Sequence, residues 1–268
     1  MLIEDRVETK FIIVFSMTVL MSDNPFFNNY AGQYSKNESF KSGNDLKILM
    51  SLLPEKVHRA LDVATGTGFV AFELSKRCES VVALDLTEAM LSEAKKLMSS
   101  NKITNVEFEK SDYYSYTTFQ KFDAIACRRA LHHFDNKELF FKKSKELLVE
   151  DGVLLVSDMI VAETDKNDLL NKLERKRDPT HVAALNEGEF MFSLKSAGFR
   201  VIKSTIDREQ MSFEKWLSPV ETNSVNGIEC KKFLNTLSDD ELKSMLFDRK
   251  TNSMTKQRMI VAAAPVAP

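Results

Sequence analysis

Cysteine and tryptophan are scarce in this chain of 268 residues, and neither an internal repeat nor a low-complexity linker is visible. Cys78, Cys127 and Cys230 lie far apart and lack the close spacing of metal ligands. Their odd number and wide separation indicate reduced thiols rather than a disulfide framework, which predicts a cytoplasmic protein. We therefore expect neither a fold held by disulfides nor a metal centre.

An excess of charge of one sign is also absent, since the net charge is −2 and the pI is about 6.2. The chain therefore has no global electrostatic field for nucleic acid, and we expect no nucleic-acid partner. This balance does not exclude an RNA or protein substrate that binds a local patch. The length allows one large domain or two small ones, and the composition is ordinary for a soluble protein.

Long hydrophobic runs are missing as well. The apolar run at 11–21 is too short to cross a bilayer, so we expect no membrane span. Its leader is acidic, and no small-residue cleavage site follows, unlike a signal peptide. We hypothesise that native translation starts at Met21 and that residues 1–20 are a non-native or flexible extension. The alternative is an additional helix or strand packed on the domain.

The most informative stretch is 59–71, which reads RALDVATGTGFVA. A short apolar run, two closely spaced glycines and a following apolar segment predict a strand, a sharp turn and the start of a helix. Gly66 and Gly68 remove Cβ atoms that would keep a ligand from the backbone. The first turn of the helix presents unpaired N–H groups and the positive end of its dipole. We expect a nucleotide-like ligand at this turn.

Asp62 indicates which nucleotide this is. The spacing of Gly66, Gly68 and Ala71 also fits the dinucleotide fingerprint, but a carboxylate four residues before Gly66 would repel a pyrophosphate. The same carboxylate would attract an ammonium or a sulfonium group. Asp-x-x-x-Gly-x-Gly after a strand resembles motif I of the class I S-adenosylmethionine (SAM) methyltransferases. A nicotinamide dinucleotide and a turn without a ligand are the alternatives at this point.

Two further acids follow predicted strands. Asp85 ends the strand at 80–86, 23 residues after Asp62, and can accept hydrogen bonds from both ribose hydroxyls. Asp112 follows the strand at 106–110, where the methyltransferase resemblance implies a contact with the adenine amino group. Leu86 and Met90 are then expected to wall the adenine, and Tyr113 to stack on the base or cover it. A surface acid and a turn residue are the alternatives for the two acids.

The segment 122–134, FDAIACRRALHHF, resembles motif IV of the same family. It follows the strand beside the first one, at the topological switch point where ligands bind. Adjacent side chains diverge, and no acid or thiol stands at ligand spacing, so His132 and His133 do not predict a metal site. We expect one histidine to line an acceptor pocket and the other to cap the next helix.

The resemblance extends over about 26–265 and is greatest for the ubiquinone/menaquinone-biosynthesis-like small-molecule methyltransferases (the methyltransferase type 11 domain). It implies an α/β, Rossmann-like, doubly wound sheet of seven strands in the order 3-2-1-4-5-7-6, with the last strand antiparallel. It also implies a single domain over 21–268. This domain divides into a helical cap at 21–58, a cofactor-binding core at 59–160 and a lid insertion at 161–192.

The resemblance implies SAM as the cofactor and a small-molecule methyl acceptor with a nucleophilic C, N, O or S atom, bound by a monomer or a homodimer. The predicted cofactor contacts are Tyr34, Asp62, Ala64, Thr65, Gly66, Gly68, Asp85, Leu86, Met90, Ser111, Asp112, Tyr113, Cys127 and Arg128. The predicted acceptor contacts are Tyr30, Arg129, His132, Asp158, Arg177 and Trp216. The candidates for a general base are His133 and His181.

Two alternative functions belong to other classes. A nicotinamide-dependent oxidoreductase would use the same glycine turn, but Asp62 and the missing Tyr-x-x-x-Lys pattern argue against it. A non-catalytic SAM-binding partner protein would keep the cofactor residues without turnover. The sequence does not separate this second alternative from an enzyme, because methyl transfer requires no universal catalytic side chain.

Overall fold

A twisted β-sheet forms the centre of the molecule in the computed structural model, which describes residues 25–266. The residues of the proposed N-terminal extension at 1–20 lie outside this range. The strands in chain order are β1 (Val57–Val63), β2 (Cys78–Asp85), β3 (Val106–Lys110), β4 (Phe122–Arg128), β5 (Leu148–Ile160), β6 (Phe199–Ser212), β7 (Phe247–Asp248) and β8 (Ser253–Pro265).

The strand order is β3-β2-β1-β4-β5-β8-β6, with the two-residue β7 paired to β8. Strands β1 to β5 pair in parallel, whereas β8 is antiparallel to both β5 and β6. The predicted doubly wound order with an antiparallel last strand is therefore confirmed, and β7 is an addition to it. In the register of the sheet, Val63 lies opposite Leu84 and Cys127, so β1, β2 and β4 end side by side.

Eleven α-helices within the described residues surround the sheet. They are α1 (Pro25–Tyr34), α2 (Glu38–Ser42), α3 (Asn44–Ser51), α4 (Phe69–Ser75), α5 (Glu88–Ser100), α6 (Lys137–Leu147), α7 (Leu169–Arg177), α8 (Glu187–Ser196), α9 (Phe213–Leu217), α10 (Val225–Thr236) and α11 (Asp239–Ser244). Between 25 and 266, no helix combines the length and the apolar character needed to cross a membrane.

Alternation along the buried strands gives the sheet two apolar faces. Leu61 and Val63 of β1 pack in one cluster with aromatic side chains of α6 and α8. Ala60, on the other face, packs in a second cluster with apolar side chains of α3 and α4. Since period-2 alternation sends neighbouring side chains to opposite faces, a continuously apolar strand requires helices on both.

A third apolar cluster lies over the carboxyl-end edge of the sheet. It joins α7, α9, α10 and α11 around the buried Trp216, and Phe26 and Tyr30 of α1 pack against it. The predicted last two strands are longer than expected, because β6 and β8 continue to pair from Ile206 with Met259 to Ser212 with Ser253. This extension, together with the helices of the third cluster, forms a wall beyond the parallel strands.

Asp45 of α3 connects the N-terminal helices to the end of β4. Its carboxylate accepts two hydrogen bonds from Arg128 and two from Arg129, at donor–acceptor distances of 2.7–2.9 Å. Burial by itself would raise the pKa of Asp45, but the charges and hydrogen bonds of the two guanidinium groups hold it well below its usual range. Both groups also donate to Ser39, so they fix α2 and α3 on the sheet.

We expect the substitution Asp45→Asn to lower the free energy of unfolding by about 3–5 kcal/mol, because it leaves two buried cations without a carboxylate. Urea titration followed by circular dichroism measures the change. In the matched control Glu38→Gln, the lost ion pair with Lys41 is exposed, and we expect a change within about 0.5 kcal/mol. Equal effects of the two substitutions would contradict the role of Asp45.

Candidate cofactor and acceptor site

The glycine turn after β1 contains three residues with positive φ, namely Ala64, Gly66 and Gly68. A Cβ atom at Gly66 would meet nothing within 4 Å, so this position is open to a ligand. A Cβ atom at Gly68 would lie 2.8 Å from Cζ of Phe72. The two glycines therefore differ in their roles: Gly66 leaves the backbone open, as expected, whereas Gly68 provides a left-handed backbone and space for a core side chain.

Asp62 ends β1 as a fully buried carboxylate. Its Oδ2 atom accepts hydrogen bonds from the Thr65 hydroxyl and from the backbone N–H of Ala71 in α4. Burial raises the pKa of Asp62 to about 7, although these two hydrogen bonds act against the shift. Asp62 thus holds the turn to the first turn of the helix, in addition to facing the cavity described below.

Asp85 ends β2 directly across from the glycine turn. Its two carboxylate oxygens accept backbone N–H bonds from Gly66 and Thr87, each at 2.8 Å. Burial raises its pKa, and these backbone hydrogen bonds oppose the shift. Because a carboxylate oxygen has two lone pairs, each oxygen retains one for a ligand hydroxyl. The side chain is therefore fixed and still able to accept two hydrogen bonds from a vicinal diol.

A cavity of about 610 Å³ lies over the carboxyl ends of the strands, between α1, α7 and the β6–β8 extension. Of the residues predicted for the site, those that line it are Tyr34, Asp62, Ala64, Thr65, Gly66, Asp85, Leu86, Met90, Ser111, Asp112, Tyr113, Arg128, Arg129, His132, His133, Asp158, Arg177 and Trp216. Segments from almost the whole chain thus converge on one space.

Four predicted residues do not line the cavity. Gly68 lies under Phe72, and Cys127 is buried in the core of the sheet. Tyr30 packs against the third apolar cluster, whereas Tyr34, one turn further along α1, lines the cavity. Nε2 of His181 lies 2.7 Å from Oδ1 of Asn171, and burial lowers its pKa to about 3.

Tyr113 lines the cavity but does not offer its ring to a ligand as expected. The ring packs against Phe134 and Phe140, and its hydroxyl group lies 2.8 Å from Oγ of Ser144. Only 4% of the residue is exposed. Stacking on a base would require the ring to leave this core, so the structure does not support that role.

Several cavity residues were missed in the sequence. They are Pro25, Phe27, Asn37, Ser39, Phe40, Asp178, Thr180, Glu209, Met211, Lys215, Lys256 and Arg258, among others. Lys256 and Arg258 carried one usable signal: they lie at positions i and i+2 before Ile260 and Ala262, in the alternation of one buried strand face. Two cations in line with apolar core residues indicate a site that is not simply solvated surface.

His132 and Asp158 form a buried pair at the ends of β4 and β5. The distance from Nδ1 of His132 to Oδ1 of Asp158 is 2.6 Å, and the backbone N–H of His132 donates to Oδ2 at 2.7 Å. Burial would raise the pKa of Asp158, but the charge and hydrogen bonds of His132 lower it. An ionised carboxylate can only accept, so Nδ1 carries a proton, and in the neutral imidazole Nε2 keeps a lone pair.

His133 has a different environment. Its Nδ1 atom lies 3.0 Å from the carbonyl oxygen of Thr180, which assigns the proton to Nδ1 and leaves Nε2 unprotonated. Burial and then the charge of His132 lower its pKa to about 4, so this histidine is neutral at pH 7. Its ring packs edge-on against Phe27 of α1.

The donor set fits SAM. Three acids, Asp62, Asp85 and Asp112, follow three neighbouring parallel strands, and Gly66 leaves the backbone open between them. Leu86 and Met90 add apolar surface. Fold and site together define a protein of the class I SAM-dependent methyltransferase type. The model of the methyltransferase domain family matches residues 54–198, and the chain belongs to that family, in which SAM is the cofactor.

Individual relatives agree with this assignment. The uncharacterized methyltransferase YcgJ of Bacillus subtilis (strain 168) is 28% identical over 210 residues, which cover 76% of this chain and 78% of that protein. The demethylmenaquinone methyltransferase of Porphyromonas gingivalis is 30% identical over 143 residues, or 50% of this chain and 58% of that protein. The solved structure of BH2331 from Bacillus halodurans C-125 matches with a TM-score of 0.75 and 28% identity, covering 84% of this chain and 100% of that chain.

The substitution Asp85→Asn tests the ribose contact. An amide has one acceptor oxygen, and its NH2 group would face a backbone N–H donor. We expect the affinity for S-adenosylhomocysteine to fall about 10- to 100-fold in calorimetric titration. The exposed Asp151→Asn variant serves as the control and should bind as the parent does. A dissociation constant for Asp85→Asn within about twofold of the parent would remove Asp85 from the cofactor site.

Asp62 predicts a pH dependence of stability. Its folded-state pKa of about 7 exceeds the ordinary value of 3.8, so the folded chain binds this proton more tightly than the unfolded chain does. The stabilisation is complete below about pH 4 and is lost as the pH rises through about 7. In the absence of ligand, the free energy of unfolding of Asp62→Asn relative to the parent should therefore increase between these values and then level off. If the free energies of unfolding of Asp62→Asn and of the parent changed with pH in the same way in urea titrations, the raised pKa of Asp62 would be contradicted.

Proposed function

We propose that the chain transfers the methyl group of SAM to a small-molecule acceptor bound in the same cavity. The observation that carries the proposal is the continuity of this cavity, which runs from the glycine turn to α7 and β8. Its volume of about 610 Å³ is in the range of small-molecule pockets, roughly 300–1,000 Å³. The name of the relative from Porphyromonas gingivalis, a demethylmenaquinone methyltransferase, supports an acceptor of this general kind.

In this proposal, the cofactor occupies the end formed by the glycine turn. Asp85 accepts the ribose hydroxyls, Asp112 lies at the adenine, and Asp62 faces the positively charged part of the ligand. Residues 25–58 act as the cap, and residues 161–192 contribute the lid through α7 and Thr180. Tyr34 in the cap and Trp216 in α9 both line the acceptor end.

SAM supplies a methyl group that its sulfonium already activates. A lone pair of the acceptor atom forms the new bond to carbon as the C–S bond breaks, and the electron pair of that bond remains on sulfur. The chain aligns the acceptor and excludes water, and alignment of this kind can contribute up to about 7–11 kcal/mol. Phe27 and Tyr34 from the cap and Trp216 from α9 are the groups that exclude water.

A proton must leave when the acceptor atom carries one. We assign its removal to His132, because Asp158 orients the ring, leaves Nε2 free to accept and stabilises the imidazolium that forms. His133 also keeps a lone pair on Nε2, but burial lowers its pKa to about 4 and, in the described part of the chain, no carboxylate accepts from its Nδ1 atom, which lies 3.0 Å from the carbonyl oxygen of Thr180. His181 lies outside the cavity, so the structure does not support direct action on the acceptor.

The first experiment is calorimetric titration with SAM, S-adenosylhomocysteine and NAD, followed by incubation with methyl-labelled SAM and separated cell fractions. We expect the two SAM-type ligands to bind, NAD not to bind, and the label to enter the small-molecule fraction. Binding of NAD alone would favour the oxidoreductase. Label confined to protein or RNA would contradict a small-molecule acceptor, and cofactor binding without any transfer would favour a non-catalytic SAM-binding partner.

The base assignment is tested on an acceptor from that screen. We expect His132→Gln to lower kcat about 100-fold or more, in the range of general-base catalysis, with an unchanged dissociation constant for S-adenosylhomocysteine. The exposed His58→Gln variant is the matched control and should keep the parent rate. If His132→Gln retains full turnover while His133→Gln loses it, the base is His133.

A further inference from the structure

One wall of the cavity has more cations than carboxylates. Three buried or half-buried carboxylates each pair with two cations, in a repeated arrangement. These sets are Asp45 with Arg128 and Arg129, Glu174 with Arg177 and Lys256, and Glu209 with Lys215 and Arg258. All six cations line the cavity, whereas Asp45 and Glu174 lie behind it. The exposed side of this wall is therefore a basic surface.

Of these six cations, Lys256 makes the longest contact with its carboxylate partner. Among residues 25–266, its ammonium group has one carboxylate partner, Oε1 of Glu174, at 3.5 Å. That oxygen already accepts from the indole N–H of Trp216 at 3.0 Å, and the other oxygen accepts from Arg177 at 2.9 Å. An ammonium group has three donors, so most of its hydrogen-bonding capacity is directed elsewhere.

The other cations concentrate charge at the same place. Burial lowers the pKa of Lys256 to about 8, Glu174 opposes the shift, and Arg177, Arg258 and Arg129 add to it. Arg258 contacts Glu209 through one guanidinium nitrogen, at 3.1 Å. Arg177 and Lys256 share Glu174, and Lys256 and Arg258 lie two residues apart on one face of β8, so the three cations are neighbours in this wall.

The remaining acids of this wall do not supply the missing acceptors. Asp158 accepts from His132 and from the backbone N–H of Met159. Asp178 accepts from the backbone N–H and the hydroxyl of Thr180. Within the described residues, these oxygens accept from backbone, hydroxyl and histidine donors rather than from the cationic side chains of β8 or α7.

The position of these cations separates them from the cofactor end. In the sheet, β8 is three strands away from β1, which at about 4.8 Å per strand is roughly 14 Å. The acids Asp62, Asp85 and Asp112 lie over β1, β2 and β3, whereas Lys256 and Arg258 lie on β8. The cavity is thus acidic at one end and basic at the other.

Apolar side chains also line the cavity. Phe27 and Tyr34 come from α1 and Met159 from β5, which lies between β1 and β8 in the sheet, whereas Met211 comes from β6, on the other side of β8. Burial raises the pKa of Tyr34 to about 12, so its hydroxyl group is neutral at pH 7. A molecule that spans this region meets apolar surface first and cationic donors at its far end.

We infer that the methyl acceptor is a small organic anion whose carboxylate or phosphoryl group is held by Lys256, Arg177 and Arg258. Its apolar part lies against Tyr34 and Met159, and its nucleophilic atom lies toward the glycine turn. The inference rests on the proposed methyltransferase function and specifies the substrate class of that site. Guanidinium and ammonium donors bind both anion types, carboxylate and phosphate, through charge-assisted hydrogen bonds.

Matched probes test the charge requirement in the protein saturated with S-adenosylhomocysteine. Calorimetric titrations at constant ionic strength compare benzoate with benzamide, and phenyl phosphate with phenol. We expect at least one acid to bind about tenfold or more tightly than its neutral partner, the size of one charge-assisted hydrogen bond. Absence of any preference, including absence of binding by all four probes, would overturn the inference.

Variants then assign the preference to the basic wall. We expect Lys256→Gln and Arg258→Gln each to weaken binding of the preferred acid about tenfold, Lys256→Arg to retain it, and the exposed Lys243→Gln to leave it unchanged. The affinity for S-adenosylhomocysteine should remain at the parent value in all four. A loss of that affinity in Lys256→Gln would show that the wall serves the cofactor carboxylate, which contradicts the inference.

The proposed function and the anionic character of the acceptor can be contradicted by different results. If the parent protein does not bind S-adenosylhomocysteine, the proposed methyltransferase function itself is wrong. If it binds S-adenosylhomocysteine and transfers methyl groups to neutral acceptors as readily as to acids, only the inference about the anion is wrong.

Discussion

The parallel register of β1 with its two neighbours is the constraint on which the site depends. Because Val63 lies between Leu84 and Cys127, the turn after β1, Asp85 and the exit of β4 meet at one edge. At this edge the connections that follow β1 and β4 lead to opposite faces of the sheet, which opens a crevice. The hydrogen bond from the N–H of Gly66 to Asp85 then locks two of these segments together. The sheet register and this hydrogen bond thus place the cofactor end without long side chains.

The sequence was sufficient for the parts of the site that are local. One βα unit sets both the spacing from Asp62 to Gly66 and the short distance from a strand to its terminal acid. Both can therefore be recognised in the sequence. The strand order came from the family resemblance. Tertiary packing determined the positions of the other predicted site residues. The ring of Tyr113 packs in an apolar core beside Phe140, and His181 contacts Asn171. No local pattern reports such partners.

The acceptor end was the least predictable region for the same reason. Its charged groups are brought together from α3, the end of β4, α7, β6, α9 and β8, over a sequence separation of more than two hundred residues. Each carboxylate and its two cations come from at least two of these distant segments, for example Glu174 from α7 with Lys256 from β8. Sharing of one carboxylate by two cations is favourable in a buried wall, because a cation there has lost its hydration and needs a counter-charge.

The sharing of Asp45 by Arg128 and Arg129 has a consequence for how this architecture can diversify. The cap and the exit of β4 form one electrostatic unit, because the carboxylate lies in α3 and both guanidinium groups lie at the end of β4. A chimera that exchanged the cap alone would inherit two buried cations without their counter-ion. New acceptor preferences therefore have to arise by coordinated exchange of both segments, or by substitutions in α7, β6 and β8 that leave Asp45 and its two arginines in place.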